Sequence, residues 1–342
     1  MARKVTVQPS GNVFDVPEGD AILAAGLAAG FHLPYGCRNG ACGSCKGKLV
    51  AGEIDYGKYQ HTALSEDERA AGYALFCVAK PLTDVTIESR EIGAVKDLVV
   101  KKLPCRVNKL ERVADDVIIV QLKLPANERL QFLAGQYIEF ILKDGARRSF
   151  SMANPPHDDE FLQIHVRHVP GGSFTEHVFK TMKERDILRF EGPLGSFFLH
   201  ESEKPIVFVA SGTGFAPIKA IIESAFQHGI ERPMTLYWGA RRPKDLYLDE
   251  LPRRWAAERP SQFKYVPVIS DALPEDQWTG RAGFVHRAVM DDFADLSGVQ
   301  VYACGVPIMV ESARRDFTHE RKLPIDEFFA DSFTTQADLA AG

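Results

Sequence analysis

Cys37, Cys42 and Cys45 fall within nine positions in the spacing C-x4-C-x2-C, and Cys77 follows at a distance. This pattern forces a tight loop around something that thiolates can share. Two irons bridged by two sulfides need two thiolates each, so a loop can wrap one side while a remote cysteine closes the other. This is the plant-type [2Fe–2S] spacing. Gly36, Gly40 and Gly43 lie beside or between the three clustered cysteines. Without Cβ atoms, the backbone can approach sulfur and aim its N–H groups there. Zinc sites usually use two C-x2–4-C pairs, and a second pair is absent. The other cysteines, Cys105 and Cys304, are scattered, unlike the dense disulfide framework of a short secreted chain.

The 342 residues suffice for two or three domains, and the 45% hydrophobic and 25% charged content is that of a folded soluble chain. A net charge of −5 gives no reason to expect nucleic acid or an anionic membrane as partner. The opening MARKVTVQPSGNVFDV is polar and alternating, without the apolar core of a secretory signal. The run Ala21–Phe31 is too short for a bilayer, which needs about 20 residues; it reads as a small packed helix. A cytoplasmic protein without membrane attachment is expected.

Three textures follow one another. Residues 1–92 begin with alternating strands Val5–Val7 and Val13–Val16 about a turn at Gly11-Asn12, then the Ala-rich helix and the cysteine loop. Strands near Lys48–Val50 and Asp84–Ser89 complete a small α+β unit. Residues 93–103 read as a lysine-bearing linker. Residues 104–201 are strand-rich, with Val117–Leu124, Gln136–Leu142, Phe161–Val166 and Ile187–Glu191 separated by turn residues and one helix at Phe174–Met182, which suggests a small antiparallel barrel. Residues 202–335 alternate strand and helix. The strands are Ile206–Ala210, Met234–Trp238, Phe263–Ile269 and Val299–Ala303; the helices are Pro217–His228, Asp245–Glu258 and Pro307–Arg321. Such alternation predicts a doubly wound parallel sheet. Residues 336–342 read as a loose tail.

PYGCRNGACGSCKGKL, with Cys77 in LFCVA, resembles the ferredoxin-type domain of multidomain oxygenase reductases. That likeness implies a β-grasp fold with Cys37, Cys42, Cys45 and Cys77 as iron ligands. Arg148-Ser149-Phe150-Ser151 resembles the R-x-Y-[ST] motif of the ferredoxin–NADP reductase superfamily, with Phe150 where the family usually has Tyr. A flavin dinucleotide brings a pyrophosphate, which suits an arginine fork. The resemblance assigns Arg148 to the pyrophosphate and Ser151 to the reacting edge of the FAD ring, with Ser149 and Phe150 alongside. His165 and Val166 lead into Gly172, Ser173 and Thr175 at a helix start, where free N–H groups can meet phosphate. The alternatives there are a plain N-cap and a structural role for His165. Gly192-Pro193-Leu194-Gly195-Ser196-Phe197 resembles the family's border turn.

Gly212-Thr213-Gly214-Phe215-Ala216-Pro217 follows an apolar strand and opens a helix, as a nucleotide loop requires. Pro217 suits a first helical turn. The run resembles the family's G-T-G-x-A-P loop, and Cys304-Gly305-Val306-Pro307-Ile308-Met309 resembles its C-G-x-P-x-M motif, which implies Cys304 and Gly305 beside the nicotinamide. A buried free cysteine is the alternative. Arg241 and Ser270 lie where the adenosine ribose is expected. Arg241 and Arg242 could grip a 2′-phosphate, whereas Asp271 after Ser270 would repel one; the balance favours NADH. Asp331 and Phe333, in FFADSF, resemble the family's closing stretch at the flavin, with Asp331 counted among the catalytic residues beside Ser151 and Cys304.

The resemblance runs from residue 4 to about 333. It implies a monomeric NAD(P)H oxidoreductase that passes electrons through FAD and a [2Fe–2S] cluster to a partner protein. An oxygenase component is the expected acceptor. The alternatives are the dehydratase of CDP-sugar 3-deoxygenation and, in another class, a redox-sensing binding module. No acid–base dyad is needed for this chemistry.

Overall fold

The structure is a computed structural model describing residues 2–93 and 98–334. All of the expected tail and residues 94–97 of the expected linker lie outside these residues. The described residues divide into two compact units: 2–93 and 98 with 195–197 and 330–334, and 99–194 with 198–329.

The first unit contains β1 (Arg3–Gln8), β2 (Val13–Val16), α1 (Ile22–Ala28), β3 (Lys46–Ala51), β4 (Ile54–Asp55), α2 (Glu66–Ala70), β5 (Tyr73–Leu75), β6 (Lys80–Pro81) and β7 (Val85–Glu88). Its main sheet has the order β2-β1-β7-β3-β5, and β4 pairs with β6. The β1–β2 hairpin is antiparallel, whereas β1 and β7 are parallel. This mixed sheet carrying a helix is the expected β-grasp arrangement. Period-2 patterning sends Val5, Val7, Phe14 and Val16 to one face, where they bury with Ile22 and Leu23 of α1. Ser65 caps α2 in a reciprocal box with Glu68.

The second unit begins with β8 (Lys101–Ala114), β9 (Val117–Lys123), β10 (Tyr137–Ile141), β11 (Arg147–Ser151), β12 (Leu162–Arg167), α3 (Ser173–Lys180) and β13 (Ile187–Leu194). The strand order is β11-β10-β13-β8-β9-β12. Neighbouring strands in this order pair antiparallel. A bridge between Met152 and Ile164 joins the two edges, so the sheet closes into the expected barrel. Residues 101–103, expected in the linker, already belong to β8. Leu103, Cys105 and Val107 point inward from it and are buried.

The parallel half follows with β14 (Ile206–Ser211), α4 (Phe215–Gln227), β15 (Met234–Ala240), α5 (Glu250–Glu258), β16 (Phe263–Ile269), β17 (Arg281–Ala282), α6 (Val285–Asp292), β18 (Gln300–Gly305), α7 (Pro307–Glu320) and β19 (Phe328–Ser332). The order β17-β16-β15-β14-β18-β19 reverses direction between β14 and β18, as in doubly wound sheets. Ile206 to Ala210 are all buried, as expected for a central strand covered on both faces.

Phe190 is fully enclosed in the barrel core and pairs across the sheet with Phe140 and Leu103. Phe190→Ala is expected to destabilise the barrel by about 3–5 kcal/mol. The measurement is urea unfolding followed by flavin fluorescence, and an unchanged midpoint would refute the packing assignment.

Candidate cofactor sites

The cysteine loop runs between α1 and β3. Arg38 adopts a left-handed φ of 61°, an uncommon state for a residue with a side chain. The Cys37 N–H donates to the Cys42 Sγ at 3.3 Å, and the Ala41 N–H donates to the Cys37 Sγ at 3.4 Å. Cys42 and Cys45 are buried, whereas Cys37 and Cys77 are half-buried.

The thiols fall into two contacting pairs, Cys37 with Cys42 and Cys45 with Cys77. Contact with Cys37 lowers the Cys42 thiol to about 5, and the same contact raises Cys37. Among the described residues, no three His, Cys, Asp or Glu side chains converge on a single ion. Two thiols per iron, with backbone N–H groups directed at sulfur, fit a two-iron cluster.

Within the same unit, Ser196 grips the residue that enters this loop. The Tyr35 N–H donates to the Ser196 Oγ at 2.8 Å; the Ser196 hydroxyl and N–H donate to the Tyr35 carbonyl at 2.9 and 3.0 Å. The Ser44 hydroxyl donates to the Ala330 carbonyl at 2.8 Å. Asp331 also lies at this loop: a Cβ placed on Gly36 would sit 3.4 Å from its Oδ1 and 3.2 Å from the Cys42 Sγ. Phe333 follows β19, half-buried.

In the second unit, β11 displays Arg148, Ser149, Phe150 and Ser151. The Arg148 Nη1 donates to the Arg147 carbonyl at 2.7 Å, and the Ser149 hydroxyl donates to Glu139 at 3.4 Å. The Phe150 ring lies 5.9 Å from Phe140 and 5.1 Å from Phe174, so it is anchored in the barrel's aromatic cluster. Ser151 is buried. Gly172 caps α3 without a side-chain bond, and Ser173 beside it is exposed, so the N–H groups of the first turn stay available. The Thr175 hydroxyl is already committed to Val169 and Gly172 and closes the loop.

Arg167, which follows His165 and Val166 on β12, adds a second cation to this unit. Its Nε is 3.2 Å from Asp116 but forms no hydrogen bond, and its Nη2 is buried with none. Its Nη1 faces Gly212, where a Cβ would come within 2.9 Å. A half-buried guanidinium with two unbonded nitrogens beside a glycine turn fits a phosphate group. The side chain of Val166 points into the barrel core, so only its peptide group can serve a cofactor. His165 is fully buried. Its Nδ1 is 2.8 Å from the Tyr247 hydroxyl and its Nε2 is 3.3 Å from Gln163, so it links the barrel to the nucleotide half.

The loops after β14 and β18 meet at the switch point. A Cβ on Gly214 would overlap the Cys304 carbonyl, and one on Gly305 (φ 144°) would overlap Ser211. The Val306 N–H donates to the Ser211 Oγ at 3.1 Å. The Trp238 Nε1–H donates to the Gly212 carbonyl at 3.0 Å, and the Trp238 ring stacks on Phe215 at 4.0 Å. Thr213 is half-buried at the centre of this cradle. Cys304 is fully enclosed, so a nicotinamide can meet its sulfur only after neighbouring groups move aside. Arg241 and Ser270 are exposed at the carboxyl edge of β15 and β16, where the Ser270 N–H bonds the Ala240 carbonyl at 3.0 Å.

Residues 5–82 match the 2Fe-2S iron-sulfur cluster binding domain, residues 104–199 the oxidoreductase FAD-binding domain, and residues 208–315 the oxidoreductase NAD-binding domain. A CDP-6-deoxy-L-threo-D-glycero-4-hexulose-3-dehydrase reductase of Yersinia pseudotuberculosis is 39% identical, over 97% of this chain and 99% of its own. Reductase component 2 of a terephthalate 1,2-dioxygenase from Comamonas sp. is 36% identical over 98% of each chain. The chain belongs to the three-domain iron–sulfur flavoprotein reductases of the ferredoxin–NADP reductase superfamily. The crystal structure of an Amycolatopsis cytochrome P450 reductase overlays with a TM-score of 0.75 at 34% identity, covering 97% of this chain and 99% of that one. The reductase is therefore an oxidoreductase using a [2Fe–2S] cluster, FAD and a nicotinamide nucleotide, built to pass electrons onward. Among the described residues, no helix is long and apolar enough to cross a membrane.

Cys77→Ala is expected to abolish the iron–sulfur absorbance and reduce iron below two per chain while leaving bound flavin. Metal analysis and a visible spectrum check this; an intact cluster would refute the ligand set. Burial, then the Lys219 charge, holds His165 well below its ordinary value, so the folded state keeps it neutral. The unfolded chain takes up a proton near pH 6.5, so this site destabilises the fold as pH falls below that value and has no effect above it. Each pH unit lost costs up to about 1.4 kcal/mol until the folded value is reached. Unfolding midpoints of wild type and His165→Gln from pH 7.5 to 5 test this, and parallel curves would refute it.

Proposed function

We propose that this reductase takes hydride from NADH and delivers single electrons to a separate oxygenase component. The observation that carries this reading is the pairing of the four thiols. It supports a two-iron cluster, a one-electron carrier at the end of a chain that starts with a two-electron donor. When bound, the flavin accepts the hydride's electron pair and the cluster hands electrons on singly.

The chain's own residues bind and orient. Arg148, Arg167 and the first turn of α3 hold the flavin's pyrophosphate, and Phe150 and Ser151 bound its ring. Gly212 to Gly214 receive the nucleotide's phosphates through backbone N–H groups. Cys304 and Gly305 place the nicotinamide, and His165, through Tyr247, fixes the barrel against the nucleotide half. Asp331 places a carboxyl group beside the cysteine loop. Asp271 disfavours a 2′-phosphate. Residence in the cytoplasm suits six cysteines that form no disulfide among the described residues.

The 39% identity to the CDP-sugar 3-dehydrase reductase favours a second reading, in which the acceptor is such a dehydrase. An anaerobic titration with NADH is expected to bleach flavin and iron–sulfur bands together, and NADPH to do so far less effectively. Iron–sulfur bands that stay oxidised would refute the electron route. NADH oxidation is then measured with a Rieske-type dioxygenase component and with a CDP-sugar 3-dehydrase. Coupling to the first alone supports the oxygenase reading; coupling to the second alone replaces it.

A further inference from the structure

The adenosine end of a nicotinamide nucleotide is expected outside the carboxyl ends of β15 and β16, since ligands of open parallel sheets sit there. Two arginines, Arg241 and Arg242, leave β15 at that edge, and an arginine fork is what a 2′-phosphate needs. One of the two is already occupied. The Arg242 Nε donates to the Asp276 Oδ2 at 2.5 Å and its Nη2 to the Asp276 Oδ1 at 2.8 Å. The same Nη2 reaches the Glu275 Oε1 at 3.3 Å. Both carboxylates belong to the turn Pro274–Asp276 that follows β16. Asp276 is fixed in turn, since its Oδ2 accepts the Leu273 N–H at 2.9 Å. Asp245 accepts the Arg242 backbone N–H at 3.0 Å and fixes the other side.

We infer that the Arg242–Asp276 fork is a specificity latch: it holds one of the two guanidinium groups at this edge in carboxylate bonds and so favours NADH over NADPH. The inference deepens the NADH reading above and rests on it. A phosphate entering here meets a neutralised arginine, the surplus charge of Glu275, and Asp271, whose N–H is bonded to the Arg241 carbonyl at 3.0 Å. A ribose hydroxyl carries no charge and pays none of that repulsion. Arg241 beside it is exposed. A bidentate charged pair is among the stronger polar contacts, so opening it is the main cost that NADPH would face.

The test is calorimetric binding of NAD+ and NADP+, and of 5′-AMP and 2′,5′-ADP, to the holoenzyme. Wild type is expected to prefer NAD+ and 5′-AMP. Asp276→Asn keeps the shape of the turn but weakens the fork, and should shift the NADP+/NAD+ affinity ratio towards NADP+ by about tenfold, the value of one charge-assisted contact. Glu275→Gln, which touches only the outer bond, should shift it less in the same direction. Adding Arg242→Ala to Asp276→Asn should cancel the gain. A ratio that moves by less than about twofold in Asp276→Asn overturns the latch and leaves the NADH reading standing. A wild type that prefers NADP+ overturns the NADH reading itself, and the latch with it.

Discussion

The packing of two chain reversals against each other organises the second unit. At the switch point β14 and β18 lie side by side, and the chain leaves them towards opposite edges of the sheet. The turn after β14 puts Gly214 against the Cys304 carbonyl, and the turn after β18 puts Gly305 against Ser211. Neither position tolerates a Cβ. The Ser211 hydroxyl takes up the Val306 N–H, and Trp238 holds the Gly212 carbonyl from the neighbouring strand. What remains is a shallow backbone cradle at the start of α4, floored by the stack of Trp238 on Phe215. The same close approach that packs the helix on the sheet therefore makes the phosphate site. Chemistry and fold are not separable here, because any side chain added at these glycines would fail as packing before it failed as binding.

Charge is managed in two opposite ways in this unit. Arg242 is closed by carboxylates and contributes a fixed turn. Arg167 is left open, its Nη2 buried without a hydrogen bond and its Nη1 over Gly212. A half-buried cation whose Nε and Nη2 lack hydrogen-bond acceptors costs free energy relative to one that is fully solvated. The fold tolerates that cost because nearby Asp116 offsets part of it and an anionic ligand would supply the rest. Cofactor binding and stability are then linked, since whatever completes Arg167 also stabilises the folded state by mass action.

Most elements with clear periodicity were legible in the sequence. The β1–β2 hairpin, the apolar β14 and the helix after it appear within a few residues of their expected places. The misses have physical reasons. β8 spans Lys101–Ala114, but its lysines face solvent and hide the alternation of Leu103, Cys105 and Val107, so its start read as linker. β11 carries Arg147 and Arg148 and looks like a loop; its strand character comes from pairing with β10, a long-range term that propensity does not contain. α6 is short and mixes His, Arg and Asp with its buried Val285, Ala288 and Val289. Of the candidate site, the spacing of Cys37, Cys42 and Cys45 stands out in the sequence because a tight loop fixes it locally, whereas Cys77 joins them only through the fold. The role of Arg167 was not legible, since its meaning depends on Gly212, which is 45 positions away. Nor was the fate of Arg242, whose partner arrives from the turn after the next strand.

The link between His165 and Tyr247 carries the argument from stability to catalysis. Hydride transfer is steep in distance and angle, and a misplacement of about 1 Å can cost a hundredfold in rate. The barrel supplies one reactant's site and the parallel sheet the other's, so their mutual position has to be held by groups that cannot rearrange in water. A neutral imidazole bonded at 2.8 Å to a buried phenol meets that requirement. Burial raises the Tyr247 hydroxyl and lowers His165, so neither group ionises near neutral pH and the contact stays a neutral hydrogen bond. A salt bridge in the same place would have been screened or hydrated as the nucleotide came and went. Keeping the pair uncharged makes the junction indifferent to the charge of the ligands that it aligns.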